Sequence, residues 1–489
     1  MPGSLLSVPT LASGGCSRSR GWRRSSRCTA ACRMPWHPWI RDWQRRYRTL
    51  SDSKTTSPKT TLKPGAFLED EPGMQDEVRR LEAADDGLFT QLREAMSKID
   101  VAYVATYPPR ECGIATFTKD LSTAIDKFLP FSRKIIVAMS RGDEIEQYPR
   151  EVRFQIFDRS RDSHRAGADF INESSAHIVS LQHEYGIFGG PDGEWVLDFA
   201  ERLRKPFVVT CHTVLFHPSP NQKRIIQELA ALGGRFVVMV ELGREILQDV
   251  YGVRPEMISL IPHGVPNVHR IPAEIVKRDL GIAGHEVVST FGLINRGKGI
   301  EYAIQAIAEV RKHFPNVRYL VLGETHPGVR NFEGESYRQM LLALLDELDL
   351  HDHVKFNNRF LSLRELVRYL SATDVYVTPY INRDQIVSGT LAYALGCGRA
   401  IVSTRYLYAE EVLADGRGVL VDFRNPDELA KAIIRILGDP EFKESLERAA
   451  YKYGRRAAWF NVAVDYISLF REVLAETSAV EAAGSGAAV

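Results

Sequence analysis

The stretch Gln385-Ile-Val-Ser-Gly-Thr-Leu-Ala-Tyr-Ala-Leu-Gly-Cys-Gly-Arg-Ala-Ile-Val-Ser-Thr404 predicts a turn, a short helix and a strand in close succession. Ser388-Gly-Thr390 can begin the helix with backbone N–H groups that lack an intrahelical partner, and such an end binds phosphate. Gly396-Cys-Gly398 can end it, because glycine adopts the left-handed conformation that closes many helices. Ala400–Thr404 is short, apolar and β-branched, which is typical of a buried parallel strand.

Short apolar runs alternate with amphipathic segments on both sides of this stretch, from Lys98 onward. Alternating strands and helices predict parallel sheets covered by helices on both faces. Two series of strands predict two doubly wound α/β domains that face each other across a ligand-binding cleft. The predicted strands are 101–106, 134–139, 177–181, 207–211, 236–240 and 258–261 in the first series, and 286–291, 318–322, 354–356, 374–378, 400–403 and 418–421 in the second.

The predicted divisions of the chain follow from this pattern. A helical pattern over 444–474, with Trp459 and Phe460 near its middle, packs either on its own domain or back across the first domain. The divisions are a disordered leader and linker at 1–65, a helical lead-in at 66–97, domains at 98–275 and 276–455, a return helix at 456–476 and a disordered tail at 477–489.

Composition narrows the class of protein. A chain of 489 residues with 44% hydrophobic residues can fill two cores, and a net charge of +1 gives no argument for nucleic acid binding. No apolar run is long enough for a membrane span. Residues 1–50 contain ten arginines and one acid, Asp42, which is typical either of a transit peptide or of sequence upstream of a later start at Met34 or Met74. A soluble cytoplasmic protein is the default expectation.

A basic loop, Gly292-Leu-Ile-Asn-Arg-Gly-Lys-Gly299, follows a predicted strand and precedes a helix. It lacks the Ser or Thr after the lysine that a phosphate-loop NTPase needs for magnesium, because Gly299 stands there. Arg296 and Lys298 at a helix N-terminus still favour a phosphate ligand over a plain solvated turn.

Residues that could contact a ligand follow three predicted strands of the first domain. Gly113 follows the first strand and lets backbone approach a ligand, although an ordinary strand–helix connection remains open. His183 and Glu184 end the third predicted strand, and His212 ends the next; a single histidine is often structural, but successive clusters indicate a site. A zinc site built from His183, Glu184 and His212 lacks the usual ligand spacing, so no metal is predicted.

The order of these segments over residues 98–475 resembles the retaining glycosyltransferases of family 4, which have the GT-B fold. The resemblance implies a nucleotide-diphosphate sugar held by the C-terminal domain, a carbohydrate or lipid-linked acceptor held by the N-terminal domain, a final helix crossing back, and no metal or other cofactor. It assigns catalytic roles to His212, Lys298 and Gln385 and acceptor-side roles to His183 and Glu184. Donor-binding roles fall to Gly113, Arg296, Ser388, Gly389, Thr390, Tyr393 and Glu411.

The sequence departs from the family at three positions. The family's two glutamates, eight positions apart, are replaced by Gln385 and Tyr393, and an arginine of the diphosphate loop by Leu293. Gln385 can still bond sugar hydroxyls, Tyr393 can donate one hydrogen bond, and Arg296 can compensate for the lost arginine. A divergent branch with its own donor geometry is expected, with loss of activity as the alternative.

The expected function is transfer of a hexosyl group, with retention and without metal, from a donor of the GDP-mannose or UDP- or ADP-glucose type to a hydroxyl, as in polysaccharide biosynthesis. One alternative is another GT-B enzyme, such as a sugar-nucleotide epimerase or a disaccharide synthase or phosphorylase. A second is a non-catalytic nucleotide-sugar-binding scaffold. An epimerase would need a carboxylate acid–base pair in the cleft, for which Glu184 is the candidate.

Overall fold

A computed structural model describes residues 98–142 and 145–485 of the chain. The predicted leader and linker at 1–65, with its basic segment at 1–50, and the predicted lead-in helix at 66–97 lie outside the described residues. So do residues 486–489 of the predicted tail.

The N-terminal domain is a doubly wound parallel sheet. Its strand order is β3-β2-β1-β4-β5-β6-β7, so the connections leave β1 in both directions and a crevice opens between β1 and β4. The central strands are buried apolar runs, as expected for a sheet covered on both faces. The elements are β1 (Val101–Ala105), α1 (Gly113–Phe128), β2 (Lys134–Ser140), β3 (Val152–Phe157), α2 (Arg161–Glu173), β4 (Ile178–His183), α3 (Trp195–Arg202), β5 (Phe207–Cys211), α4 (Pro220–Ala231), β6 (Arg235–Val238), α5 (Glu241–Asp249) and β7 (Ile258–Leu260).

The C-terminal domain repeats this plan with six strands in the order β10-β9-β8-β11-β12-β13, all parallel. Its crevice lies between β8 and β11. The elements are α6 (Ala273–Asp279), β8 (Val287–Phe291), α7 (Ile300–His313), β9 (Arg318–Leu322), α8 (Pro327–Glu333), α9 (Ser336–Leu348), β10 (Val354–Asn357), α10 (Leu363–Ala372), β11 (Val375–Thr378), α11 (Gly389–Gly396), β12 (Ala400–Thr404), α12 (Leu407–Val412), β13 (Val419–Val421), α13 (Pro426–Gly438) and α14 (Pro440–Arg456).

The last helix, α15 (Trp459–Ser485), returns to the N-terminal domain and packs against α1. Trp459, Tyr466 and Phe470 are buried in one apolar cluster with Phe117 of α1 and Val208 of β5. The predicted fold class, two doubly wound domains with a C-terminal helix that crosses back, is therefore confirmed.

Three details differ from the sequence predictions. The edge strand β3 was not predicted, because Arg153 and Gln155 interrupt its apolar character. The single helix predicted over 444–474 is two helices: the chain turns at Ala457 and Ala458, where Val265 exchanges backbone hydrogen bonds with Ala457 and Trp459. The predicted boundary at 275/276 falls inside α6, which packs on α10, and the tail predicted to be disordered from 477 is helical as far as Ser485.

Candidate functional site

The loop after β8 is shaped by two glycines. Gly292 has φ 129°, and Gly299 has φ 60° immediately before α7. A Cβ atom on Gly299 would lie 2.2 Å from the carbonyl oxygen of Pro379, so only glycine allows the loop to approach the segment after β11 this closely. The loop therefore holds the turn Arg296–Lys298 at the crevice between β8 and β11.

Lys298 lies over an aromatic ring. Its Nζ atom is 3.9 Å from the ring centroid of Tyr380, which is fully buried and stacks on Tyr406 at 5.3 Å between centroids. Within the described residues, no carboxylate lies within salt-bridge distance of Lys298. The ring holds the ammonium in place without neutralising it, so its charge remains available to an anion.

The N-terminus of α11 adjoins this lysine. The Ser388 side chain accepts a hydrogen bond from the Leu391 N–H, while Thr390 Oγ1 bonds Ser388 Oγ at 3.1 Å and the Tyr380 hydroxyl at 2.6 Å. Tyr380 thus contacts both Lys298 and the residues that begin α11. The structure brings together the positive end of a helix and a cation that has no carboxylate partner among the described residues, an arrangement that favours an anionic ligand.

Gly113 begins α1 on the other side of the cleft. A Cβ atom at this position would meet nothing within 4 Å, so the backbone there is open to a ligand. The neighbouring Cys112 side chain accepts from the Ala115 N–H at 3.3 Å and caps the helix. Gly113 is therefore where the sequence placed it, at an accessible helix N-terminus.

Positive charge converges on this cleft from both domains. Burial, followed by the charges of Arg141, Lys298 and Arg110, lowers the pKa of His326, which caps α8. Arg110 follows β1 and Arg141 follows β2, so two of the cations belong to the N-terminal domain. Arg110 is anchored through its Nη1 atom, which donates to the Met139 carbonyl at 3.1 Å.

A pair of carboxyl groups also spans the cleft. A hydrogen bond to Glu324, together with burial, raises the pKa of Glu111 to about 7, and Glu324 pairs with Arg330 at 2.9 Å. Glu111 follows β1 and Glu324 follows β9, so this pair of carboxyl groups lies where the two domains meet.

His212 stands at the carboxyl end of β5. Its Nε2 atom is 3.0 Å from Gln182 Oε1, and its ring contacts the edge of Phe117 at 4.9 Å. Burial and the neighbouring His263 and His183 lower the pKa of His212 to about 3. The imidazole is therefore neutral at physiological pH.

His263 lies in the loop after β7. It is buried, and a Cβ atom on Gly389 would lie 2.9 Å from its Nε2 atom. Its ring also contacts Phe117 of α1 at 5.1 Å. His263 thus fills the space between the two domains directly beside the N-terminus of α11.

The structure corrects the placement of His183. Successive side chains of a strand point to opposite faces, so Gln182 shares a face with His212 and His183 points the other way. His183 is fully buried, packed against Tyr185 and Phe188, and is not on the cleft surface. Glu184 does lie at the strand end, where its carboxylate accepts from the Thr213 hydroxyl and burial raises its pKa.

Tyr393 and Glu411, which the sequence predicts to bind the donor, form hydrogen bonds between the two domains. The Tyr393 hydroxyl is buried and donates to Asp120 Oδ2 of α1 at 2.6 Å. Glu411 accepts from the backbone N–H groups of Glu241 and Leu242 at 2.7 and 3.1 Å, which caps α5. Both side chains therefore join the domains in this conformation, and the Tyr393 hydroxyl is buried in that contact.

Arg296 and Gln385 also have partners. Arg296 is exposed and pairs with Glu333 at 3.0 Å, so its charge already has a partner. Gln385 is half-buried and donates from its Nε2 atom to the Val387 carbonyl at 2.9 Å, at the start of the turn before α11. Lys298 therefore lies beside the turn that begins α11, through the shared contact with Tyr380, whereas Arg296 pairs with Glu333.

Acid should destabilise the protein through its buried histidines. Burial lowers the pKa of His183 to about 4, and neither ring nitrogen has a hydrogen-bond partner in the described part of the chain. The unfolded chain binds this proton near pH 6.5, so the stabilisation present above that pH is lost as the pH falls toward 4.

His183→Leu should therefore flatten the pH dependence. Urea unfolding at pH 7.5 and pH 5 should show a variant that matches or exceeds the wild type at pH 7.5 and gains on it at pH 5. Parallel profiles for the two proteins would mean that His183 is not buried in its neutral form.

Comparisons with known proteins bear on the fold and on the class of protein. Residues 274–453 match the family model described as "Glycosyl transferases group 1". The chain is 29% identical over 296 residues to the D-inositol 3-phosphate glycosyltransferase of Acidothermus cellulolyticus, covering 57% of this chain and 64% of that one. The same enzyme of Segniliparus rotundus is 26% identical over 310 residues, covering 60% and 66%. The matched stretches thus span less than two thirds of these relatives' length.

Solved structures share the fold. Sucrose-phosphate synthase of Thermosynechococcus elongatus has a TM-score of 0.60 at 17% identity, covering 77% of this chain and 100% of that one. HepE of Anabaena in complex with UDP has a TM-score of 0.59 at 16% identity, with the same coverage. The fold is GT-B, and the match to the group 1 model lies in the C-terminal domain. In the described residues, no helix is both long and apolar enough to span a membrane.

Proposed function

We propose that the protein transfers a hexosyl group from a nucleotide-diphosphate sugar to an acceptor hydroxyl, with retention and without a metal ion. The observation that carries this proposal is Lys298, held on the Tyr380 ring beside the N-terminus of α11. An unneutralised cation and free helix amides at the carboxyl end of β8 are matched to a diphosphate and have no evident structural purpose.

The chain's own residues then supply the chemistry. Lys298 and the amides of Gly389 and Thr390 stabilise the negative charge that develops on the departing diphosphate. The anomeric carbon passes through an oxocarbenium-like state. The acceptor hydroxyl attacks from the face that the diphosphate leaves, and its proton passes to a phosphate oxygen. The neutral His212 orients the sugar by hydrogen bonding.

An anionic acceptor fits the N-terminal side of the cleft. Arg110 and Arg141 add positive charge beyond what the donor's diphosphate needs from Lys298. The relatives act on D-inositol 3-phosphate, according to their names. We therefore extend the proposal to a phosphorylated polyol as acceptor, its phosphate bound by these arginines.

The test is a transfer assay with UDP-, GDP- and ADP-hexoses, each with phosphorylated and unphosphorylated inositol, read by mass spectrometry. One nucleotide series should support transfer, and the phosphorylated acceptor should be preferred. Donor binding without transfer to any acceptor would favour a scaffold protein, and interconversion of the donor sugar would favour an epimerase.

Arg110→Ala should weaken binding of the phosphorylated acceptor and leave binding of the donor unchanged. Loss of one charge-assisted contact to a phosphate predicts a KM for the phosphorylated acceptor raised about 10- to 100-fold, with the donor KM little changed. Arg153→Ala, an exposed arginine on β3, is the matched control and should change neither. Equal KM increases for both substrates would contradict the acceptor assignment.

A further inference from the structure

A line of polar side chains crosses the buried face of the N-terminal sheet. Gln182 of β4 lies opposite Thr210 of β5 in the strand register, and Ser180 and His212 stand two residues away on the same face. Ser180, Gln182 and Thr210 are fully buried. Polar groups so placed are costly unless each finds a partner, so their hydrogen bonds specify a definite arrangement.

The Gln182 amide makes three hydrogen bonds along this line in the orientation that the structure shows. Its Nε2 atom donates to Ser180 Oγ at 3.1 Å and to Thr210 Oγ1 at 3.5 Å, which uses both amide hydrogens. Its Oε1 atom then faces His212 Nε2 at 3.0 Å. An amide oxygen only accepts, so the neutral ring of His212 carries its proton on Nε2 and leaves Nδ1 as an acceptor.

The final helix, α15, contacts this line of polar side chains at Thr210. Thr210 Oγ1 is 2.9 Å from the hydroxyl of Tyr466, which is buried on α15. Because α15 follows the last helix of the C-terminal domain, its docking is linked to His212 through Thr210 and Gln182.

The surroundings of His212 add no carboxylate partner in the part of the chain that the structure describes. The titratable groups that act on it are His263, from the loop after β7, and His183, from β4. From α1 it meets the Phe117 ring, and from α15 it meets Tyr466 only through Thr210. The tautomer of His212 is thus set by Gln182.

We propose that Gln182 is a positioning residue that fixes the Nε2–H tautomer of His212, and that Tyr466 of α15 keeps Gln182 in place through Thr210. The catalytic part of this inference rests on the proposed function, because it gives His212 a role at the sugar. The tautomer itself is independent of any activity.

The first test is therefore spectroscopic. Nitrogen-15 NMR of histidine-labelled protein at pH 7, with His212→Ala to assign the signal, should show His212 protonated on Nε2 alone. Gln182→Leu should yield a mixture of tautomers, and Ser140→Ala, a buried serine of β2 outside this line, should leave the signal unchanged. A wild-type ring protonated on Nδ1, or an unchanged signal in the leucine variant, would overturn the inference.

The second test is kinetic and uses variants whose folding is checked by thermal unfolding. Gln182→Leu should lower kcat about tenfold, the value of one hydrogen bond, with the donor KM nearly unchanged. In a His212→Ala background the same change should cost nothing further. An equal loss in both backgrounds would mean that Gln182 acts on stability alone.

Gln182→Glu gives a readout that a merely structural role would not move. A carboxylate beside Nε2 favours the charged imidazole, so kcat should fall as the pH is lowered and recover as it is raised. The kcat of the wild type should not show this fall above pH 6. A pH-independent loss would contradict the proposal. If no substrate is turned over, the proposed function fails, and the NMR result still decides the tautomer.

Discussion

Lys298→Ala is expected to lower kcat/KM for sugar transfer by about 10²- to 10³-fold, the usual effect of removing one group that stabilises developing charge. The ammonium is the cation held at the crevice by the Tyr380 ring, and Arg296, its nearest substitute in sequence, is paired with Glu333. The loss should appear in steady-state kinetics with saturating acceptor.

The matched control is Lys312→Ala. Lys312 is exposed near the end of α7 and pairs with Glu309, so its removal should leave kcat and both KM values unchanged. Thermal unfolding of the Lys298 variant should fall only slightly below that of the wild type, because a half-buried cation–π contact contributes about 1–2 kcal/mol. Unchanged turnover in Lys298→Ala would refute the proposed donor site.

Asp374→Asn is expected to lower the free energy of unfolding by about 1.5–3 kcal/mol, the value of hydrogen bonds to a charged group. The buried ammonium of Lys277 keeps a second carboxylate partner, Glu274, at 2.7 Å, so it is weakened rather than left unpaired. Lys277 of α6 is 3% exposed, and its ammonium lies 2.7 Å from Asp374. Lys443 of α14 is 3.3 Å from the same carboxylate. Asparagine can still accept the hydrogen bond from the Val287 N–H, so the variant isolates the charge.

Lys277→Met in the same protein is the control. With the buried ammonium removed, the Asp374→Asn change should cost much less, and urea unfolding of the four proteins of this cycle measures the coupling. Additive losses would show that the two charges do not depend on each other in the folded protein.

The fold was largely predictable because its signals are local. Buried parallel strands are apolar and β-branched, and the six strands predicted in the second domain are all present. The edge strand β3 was missed because it is only half-buried, and polar residues such as Arg153 and Gln155 alternate with its apolar residues. The turn at Ala457 escaped because it contains no glycine or proline and the apolar pattern continues through it.

The parts of the site that are formed by backbone turns and helix starts could be predicted from sequence. The parts that depend on side-chain contacts between distant residues could not. The glycines around Lys298 and the turn at Ser388 show in sequence which helices begin at the cleft. Tyr380 is visible in the sequence as an aromatic residue directly after Pro379, the residue that follows β11.

Partners distant in sequence could not be predicted. The bond from Tyr393 to Asp120, which withdraws a predicted donor ligand, joins residues 273 positions apart. The cap that Glu411 provides for α5 likewise depends on how the two domains meet. No local pattern encodes either contact.

Calorimetric titration of the full chain with UDP, GDP and ADP tests the central claim most directly. The account predicts that one nucleoside diphosphate binds, that Lys298→Ala weakens this binding at least tenfold, and that Lys312→Ala does not. If none of the three binds at millimolar concentration, or if Lys298→Ala binds as tightly as the wild type, the crevice between β8 and β11 is not a donor site.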